Sequence, residues 1–309
     1  MATTLTDMIN EVSMNLSGYT LTQDRSTYIK TAVTAVASSS ASPTTLSLGS
    51  TDNVGKGIVE IDEELLWIDT YDRVGNTATV APYGRAYLGT TLAAHAVDAK
   101  VTISPTFPRF TIKRAINDSI NALGSSIFAA STTTITSNAA VAAFRLPTTG
   151  ATLDIRKILT IAYQTIGASK EWTPIRSYRF DGNANSTAFT SGQTVSIYDV
   201  VPSGRTIQIV YAKDPVIFAT NADEFSTQTG LPESCKDLVI LGATYRLLTN
   251  LDPARAAMVS PQADEVDSKR PYGSSQSLTK NIYALYSQRL AEEIKSQQNQ
   301  YPIRVHYSL

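Results

Sequence analysis

The sequence holds a single cysteine, Cys235, and two histidines, His95 and His306. One thiol excludes an intramolecular disulfide and a thiolate zinc site, and suits a reducing compartment. Cys235 lies in an apolar helical pattern and reads as a small buried hydrophobe. Without an HExxH or a second nearby His or Cys, neither a zinc site nor a Ser-His-Asp triad is expected. His95 therefore reads as a solvent-facing or packing residue. Charge is also scarce, at 17% of residues, and 26 basic against 27 acidic side chains leave a net charge of -1. That balance argues against tight sequence-independent binding of nucleic acid, which needs a basic field, though a neutral channel around DNA stays open. No run approaches the ~18 apolar residues of a membrane span. Met1-Ala2-Thr3-Thr4 lacks the basic start and apolar stretch of a secretion signal. There is no GxGxxG and no P-loop lysine, and Gly55-Lys56-Gly57 reads as a turn.

What is abundant is Ser, Thr, Ala, Asn and Gln, giving a polar but weakly charged surface on which β-branched Thr favours strands. A length of 309 residues is comfortable for two domains with real cores. Leu5, Met8, Ile9, Val12 and Leu16 recur at helical spacing. Thr4 with Asp7 resembles a capping box, and Gly18 can close the helix. A shorter helical stretch is expected at 24–30. After a Ser-rich linker ending at Pro43 the period falls to two. Residues 44–48, 57–62, 64–70, 77–80 and 100–104 read as short strands, with a turn at Gly75-Asn76. Five such strands suggest a small closed or nearly closed barrel.

Helix returns at Pro108, with Ile112, Ala115, Ile116, Ile120 and Leu123 on one stripe. Strands are then expected at 133–136, 142–146, 154–163, 172–180, 194–198 and 205–212, with 199–204 as a hairpin connection, together a small sandwich. Pro232 opens a helix carrying Leu238, Leu241, Gly242, Tyr245 and Leu248 on one face. Residues 254–272 read as a polar loop. Leu278, Ile282, Leu285, Leu290 and Ile294 mark a last helix over 276–298, and an extended tail follows.

The predicted fold class is α+β: a bundle core of about four helices with two inserted β-rich modules and an extended C-terminal tail. The expected division is 1–37 for N-terminal core helices, 44–105 for the barrel-like module and 108–128 for a core helix. It continues with 132–213 for the sandwich-like module, 231–299 for C-terminal core helices and 300–309 for a docking tail. None of these amphipathic helices is stable alone, and packing them together is the simplest solution.

Chemistry is sparse. Asp62-Glu63-Glu64 with Asp69 raises the carboxylate pair of glycoside hydrolysis. Residues 63–64 fall at a turn between strands, however, where charge is simply solvated. Asp223 and Glu224 lack EF-hand spacing for calcium. Arg109, Lys113 and Arg114 sit early on the second helix, facing solvent, phosphates or acidic partner residues. The chain reads as non-enzymatic, with no catalytic residue, cofactor or metal expected.

Three segments resemble one family. Gly84-Arg85-Ala86-Tyr87-Leu88-Gly89-Thr90-Thr91-Leu92-Ala93-Ala94-His95 resembles an Arg-Gly-x-x-Gly-Thr-Thr-Ala-Ala-x-His loop of phage structural β-modules, with Ala86 at the first Gly. Phe107-Pro108-Arg109-Phe110 through Leu123 resembles the helix after that module. Thr229-Gly230-Leu231-Pro232-Glu233-Ser234 and its following helix, then Leu285-Tyr286 through Tyr301-Pro302-Ile303-Arg304, resemble a C-terminal half. In this order they resemble the bacteriophage head-to-tail adaptor (connector, head completion) proteins. The resemblance implies a structural virion protein of the neck, made in the host bacterial cytoplasm, with no membrane association. It would form a homo-oligomeric ring, a dodecamer, between the portal protein and a tail, stopper or nozzle protein. Double-stranded DNA would pass through the lumen during genome ejection, without sequence-specific binding.

The resemblance also implies that the C-terminal segment docks on the portal. Tyr301, Ile303, Val305 and Tyr307 alternate with Pro302, Arg304, His306 and Ser308. Such a tail suits strand addition or a partner's groove, or it folds back on its own subunit. Arg109, Lys113 and Arg114 become candidates for the DNA-channel or inter-subunit face. The alternative is another phage tail, baseplate or fibre protein with carbohydrate-binding β-modules. In that case Trp172, Tyr178 and Tyr198 would form a sugar platform rather than sheet core.

Overall fold

A computed structural model describes residues 3–18, 24–35, 44–146, 154–166, 170–185, 187–189, 191–249 and 274–302. The chain divides into two compact units. One comprises 6–116 with 240–283, the other 1–5, 117–239 and 284–309. The described residues hold five α-helices: α1 (Leu5–Ser17), α2 (Arg109–Leu123), α3 (Phe225–Thr229), α4 (Lys236–Leu248) and α5 (Ser274–Gln300). The division passes through α1, α2, α4 and α5, so each unit contains helix as well as sheet. The apolar faces read from the 3.6 period are the buried ones in α1 and α2, whereas on the stripe expected for α5 only Ile282 is buried, Leu278, Leu290 and Ile294 are half-buried and Leu285 is exposed. Leu5, Met8, Ile9 and Val12 of α1, and Ile112, Ile116, Ile120 and Leu123 of α2, have no exposed surface.

The first unit is built on a six-stranded antiparallel sheet. Its strands are β1 (Arg25–Tyr28), β2 (Thr44–Ser47), β3 (Gly57–Ile61), β4 (Glu64–Asp72), β5 (Thr77–Val80) and β6 (Lys100–Ile103). The spatial order is β1-β6-β3-β4-β5-β2. Val59, Ile61, Leu66, Ile68, Val80 and Val101 form much of its buried cluster. Two expectations are corrected here. Residues 25–28 are a strand and not a helix, because Arg25–Tyr28 pairs with Lys100–Ile103. The sheet is also not a closed barrel. Its four-residue edge strands β1 and β2 meet only at the isolated Ile29–Leu48 bridge, through Lys30 N to Ser47 O (2.8 Å) and Gly49 N to Tyr28 O (2.9 Å).

The second unit carries β7 (Ala129–Thr136), β8 (Ala143–Arg145), β9 (Lys157–Gln164), β10 (Trp172–Pro174), β11 (Tyr178–Asp181), β12 (Thr194–Ile197) and β13 (Thr206–Lys213). They form a four-stranded sheet, β10-β9-β13-β7, and a three-stranded sheet, β11-β12-β8. Ile135, Ile161, Ile207 and Ile209 of the first sheet share one buried cluster with Val195 of the second. Two details differ from the sequence reading. The expected strand at 172–180 is two strands in different sheets, broken after Pro174, where Ile175 turns into the core. Residues 199–204 are not a hairpin, since they link β12 of one sheet to β13 of the other.

Candidate functional site

The most organised cluster of polar side chains lies where β3 turns into β4. Glu64, the first residue of β4, has a wholly buried side chain. Its Oε1 accepts hydrogen bonds from Arg85 Nε (2.7 Å) and the Ala86 amide (2.9 Å). Its Oε2 accepts from Arg85 Nη2 (2.8 Å) and the Ala93 amide (3.0 Å), and lies 2.9 Å from His95 Nε2. His95 Nδ1 in turn lies 2.8 Å from Asp62 Oδ2. Arg85 Nη2 also donates to the Ala93 carbonyl (2.6 Å). The Arg85 side chain is 1% exposed and the His95 side chain 0%, whereas Asp62 is open to solvent.

Burial by itself would raise the Glu64 carboxyl. The Arg85 guanidinium, His95 and the Ala93 and Ala86 amides outweigh it and hold the group at about 2. For His95, burial opposes the charged form, but hydrogen bonds to Glu64 and Asp62 prevail and raise its pKa. The cluster is thus ionic: a buried carboxylate between a guanidinium and an imidazolium. All of its acceptor directions are occupied, so Glu64 can take a further proton or ligand only if the clamp opens.

This geometry explains the motif at 84–95. Arg85 at its start and His95 at its end converge on one carboxylate, so a segment with little sheet pairing is closed into a fixed loop. A Cβ at Gly84 would stand 2.8 Å from the Ala81 carbonyl oxygen and 2.9 Å from that of Trp67, which requires glycine. Ala86 adopts φ 49° and Leu88 φ 54°, left-handed conformations that favour glycine at position 86. The sequence reading of Glu64 as a solvated turn residue is therefore wrong, and His95 is neither solvent-facing nor simple packing. Glu63 is half-buried and pairs with Lys113 (3.3 Å).

A second carboxylate ties the sheet to α2. Glu60 of β3 is 4% exposed and accepts from the Arg109 amide at the helix N-terminus (2.5 Å). Burial pushes its pKa up to about 7, against the pull of the Arg109 and Phe110 amides and the Arg109 charge. Arg109 donates through Nη1 to Asn10 Oδ1 (2.8 Å). Of the three basic candidates on α2, Arg109 and Lys113 are thus engaged within the chain and Arg114 is exposed.

At the other end of the chain, Tyr301 closes α5, its amide bonded to the Gln297 carbonyl (2.9 Å). Its ring packs on Phe128 at 5.8 Å. The Gln297 side chain donates to the Phe128 carbonyl (2.7 Å) and accepts from the Phe128 amide (3.2 Å). Lys157 stands over the Phe128 ring at 4.8 Å. Pro302 is exposed, and Ile303, Arg304, Val305, His306 and Tyr307 lie outside the described residues. Of the aromatic platform candidates, Tyr178 packs against the sandwich core, while Trp172 and Tyr198 are 43% and 63% exposed. Asp223 is occupied locally, accepting from the Ala219 and Thr220 amides and the Thr220 hydroxyl. Cys235 is buried, its thiol pushed up to about 12 by burial and by Glu293.

Residues 85–305 match the family model of the SU10 adaptor protein. The chain belongs to that family. The matched span opens on Arg85 of the clamp and runs through α2, the sandwich sheets and α3 to α5. It contains nearly all of the three segments on which the adaptor resemblance rests. A comparison with curated proteins finds no match. As an SU10 adaptor family member, the chain is a phage structural protein and virion component that acts with other head and tail components. No helix among the described residues is long and apolar enough to cross a membrane. Sequence reasoning missed Glu60 and Glu64. The available signals were a lone acid inside an apolar strand, Ile58-Val59-Glu60-Ile61, and an acid leading directly into another, Glu64-Leu65-Leu66-Trp67.

Proposed function

We propose that this adaptor forms a non-enzymatic ring, a dodecamer, beneath the portal and joins it to the tail, stopper or nozzle protein at the virion neck. The observation that carries the reading is the family match over 85–305, which spans α2 and the C-terminal half as far as residue 305. In this reading the four longer helices form the ring core, with the two β-regions as inserted modules. The charge clamp supports a structural role, because Glu64 is held by Arg85 and His95 and rigidifies a loop. DNA passes through the lumen during genome ejection without base recognition, in keeping with a net charge of -1. Exposed Arg114 is the α2 residue suited to a lumen or a neighbouring subunit.

The tail from Ile303 onward is the portal-docking element, with Tyr301 as its fixed root. The test is negative-stain imaging of the purified chain, alone and mixed with portal, beside a variant lacking 303–309. Rings with portal bound are expected for the full chain, and a folded protein that fails to pull down portal for the variant. Undiminished portal capture by the variant refutes tail docking. A monomer that stays monomeric with portal present refutes the ring.

A further inference from the structure

We propose that two copies of the free chain join by antiparallel pairing of their β7 edges across a two-fold axis at Thr133. The four-stranded sheet ends on one side at β10, three residues long and closed by Pro174, a short proline-bearing edge of the kind that resists further pairing. It ends on the other side at β7, which among the described residues pairs with β13 alone. That strand, Ala129–Thr136, is eight residues long with the sequence AASTTTIT, free of charge and proline. A long, uncharged edge is a template for another strand, and proteins normally blunt it or cover it.

Hydrogen bonds at the two ends of the strand show which backbone groups are free. The Ser137 amide donates to the Arg205 carbonyl (2.7 Å), and the Ser137 carbonyl accepts from the Gly204 amide (2.9 Å), so Ser137 faces the β13 side. Ala212, opposite Ala130, turns its carbonyl the other way, to the Arg156 amide (2.8 Å). Backbone groups alternate along a strand, so Ser131, Thr133 and Ile135 point toward β13, while Ala130, Thr132, Thr134 and Thr136 point outward. Those four are also the exposed residues, and the odd-numbered ones between them are buried or half-buried. Their amides and carbonyls have no partner among the described residues.

The edge itself specifies a second copy as its occupant. A head-to-tail contact would need another long free edge on the neighbouring copy. The other sheet ends among the described residues are β10, the four-residue strands β1 and β2, and the outer strands β8 and β11, which carry Arg145, Arg179 and Asp181. Only β7 matches β7 in length. One antiparallel register pairs all of the outward residues, setting Ala130 beside Thr136 of the second copy and Thr132 beside Thr134. Each such pair exchanges two hydrogen bonds, about eight in all. Thr and Ala then meet on the open face, where Thr–Thr pairs are favourable and no like charges oppose each other. A two-fold contact does not itself close a ring, so this inference concerns the free chain and stands apart from the proposed ring.

The test is sedimentation velocity with amide hydrogen exchange on the full chain over a dilution series, beside Thr132→Pro and Thr134→Lys. Proline at 132 removes an outward donor and no bond to β13, and lysine at 134 puts a charge on the edge. The parent should be a dimer that dissociates on dilution. Its outward amides at Ala130, Thr132, Thr134 and Thr136 should exchange about tenfold or more slowly at the concentrated end, with Ser131, Thr133 and Ile135 protected throughout. Both variants should stay monomeric, with β9 and β13 exchange unchanged as the control for folding. Thr133→Cys in a Cys235→Ser background should give a disulfide-linked dimer, because Thr133 then faces its own copy at about 4.5 Å in a non-hydrogen-bonded pair. A parent that is monomeric at every concentration overturns the proposal, as does a dimer that both variants leave intact. Outward amides protected independently of concentration also overturn it, because the edge is then covered within the subunit. A higher oligomer whose outward amides exchange freely overturns it while leaving the ring standing.

Discussion

Removing the charge of Glu64 while keeping its shape isolates the clamp. In Glu64→Gln the Arg85 guanidinium stays 1% exposed but loses its counter-charge, and His95 loses the stronger of its two carboxylate partners. Removing one member of a buried pair costs about 3–5 kcal/mol, because the other charge is stranded. That is a large share of the ~5–15 kcal/mol that holds a typical domain. The loss should be local, since Trp67 of β4 stacks on Tyr87 of the clamped loop at 5.4 Å and donates to the Gly84 carbonyl. The chain has two tryptophans, so urea unfolding followed by fluorescence in a Trp172→Phe background reports Trp67 alone. The double variant Glu64→Leu/Arg85→Met should recover much of the loss, as apolar replacement of both partners commonly does. The pH dependence adds a sign. Glu64 is held at about 2 against 4.5, so its contribution is complete above about 4.5 and is lost as pH falls towards 2, about 3 kcal/mol in all. His95 is raised, so its contribution is complete below about 6.5 and is lost as pH rises through its folded value. A Glu64→Gln variant within about 1 kcal/mol of the parent, or a double variant as unstable as the sum of the singles, would falsify the clamp.

Glu60 carries the opposite sign from Glu64. Its folded value near 7 means that the unfolded chain releases the proton first, so stability should fall by about 3 kcal/mol as pH rises from 4.5 to above 7. Glu60→Gln keeps an acceptor for the Arg109 amide and should flatten that slope; equal slopes for the two proteins at pH 5 to 8 would rule the assignment out. Ala86→Gly should stabilise the chain by about 0.5–1 kcal/mol, because relief at φ 49° exceeds the glycine's extra unfolded-state entropy. A lowered urea midpoint for that variant would mean that the Ala86 side chain contributes packing that its backbone angle does not reveal.

The parts of the fold legible in the sequence are those set by local period. The α1 stripe at Leu5, Met8, Ile9, Val12 and Leu16 is buried as its spacing requires. What escaped is set by partners far along the chain. Arg25-Ser26-Thr27-Tyr28 has no apolar alternation, and it becomes a strand because Val101 and its neighbours offer a ladder more than seventy residues later. The link at 199–204 looks like a hairpin, yet β12 is already paired on both sides by β11 and β8, leaving no edge for β13. The site failed for the same reason. Glu64 looks like one acid of a solvated run until Arg85 and His95, 21 and 31 residues away, are brought to it. Burial of a charge is invisible in sequence when its neutralising partner is non-local.

The low charge of this adaptor takes on meaning once the ion pairs are placed. Arg85 is closed on Glu64, Lys113 on Glu63, Arg156 on Asp214 and Lys56 on Asp69, while Arg289 joins Asp237, Glu292 and Glu293. Part of a small charge complement is thus engaged in intrachain pairs that fix loops and helix contacts. What faces outward on a strand such as β7 is Thr and Ala. A surface of that kind has little long-range electrostatic steering. What it offers a neighbour is backbone hydrogen bonds and shape, short-range contacts that salt screens little. In the proposed ring, an uncharged strand such as β7 would meet a neighbouring copy or a passing polyanion with little electrostatic attraction or repulsion.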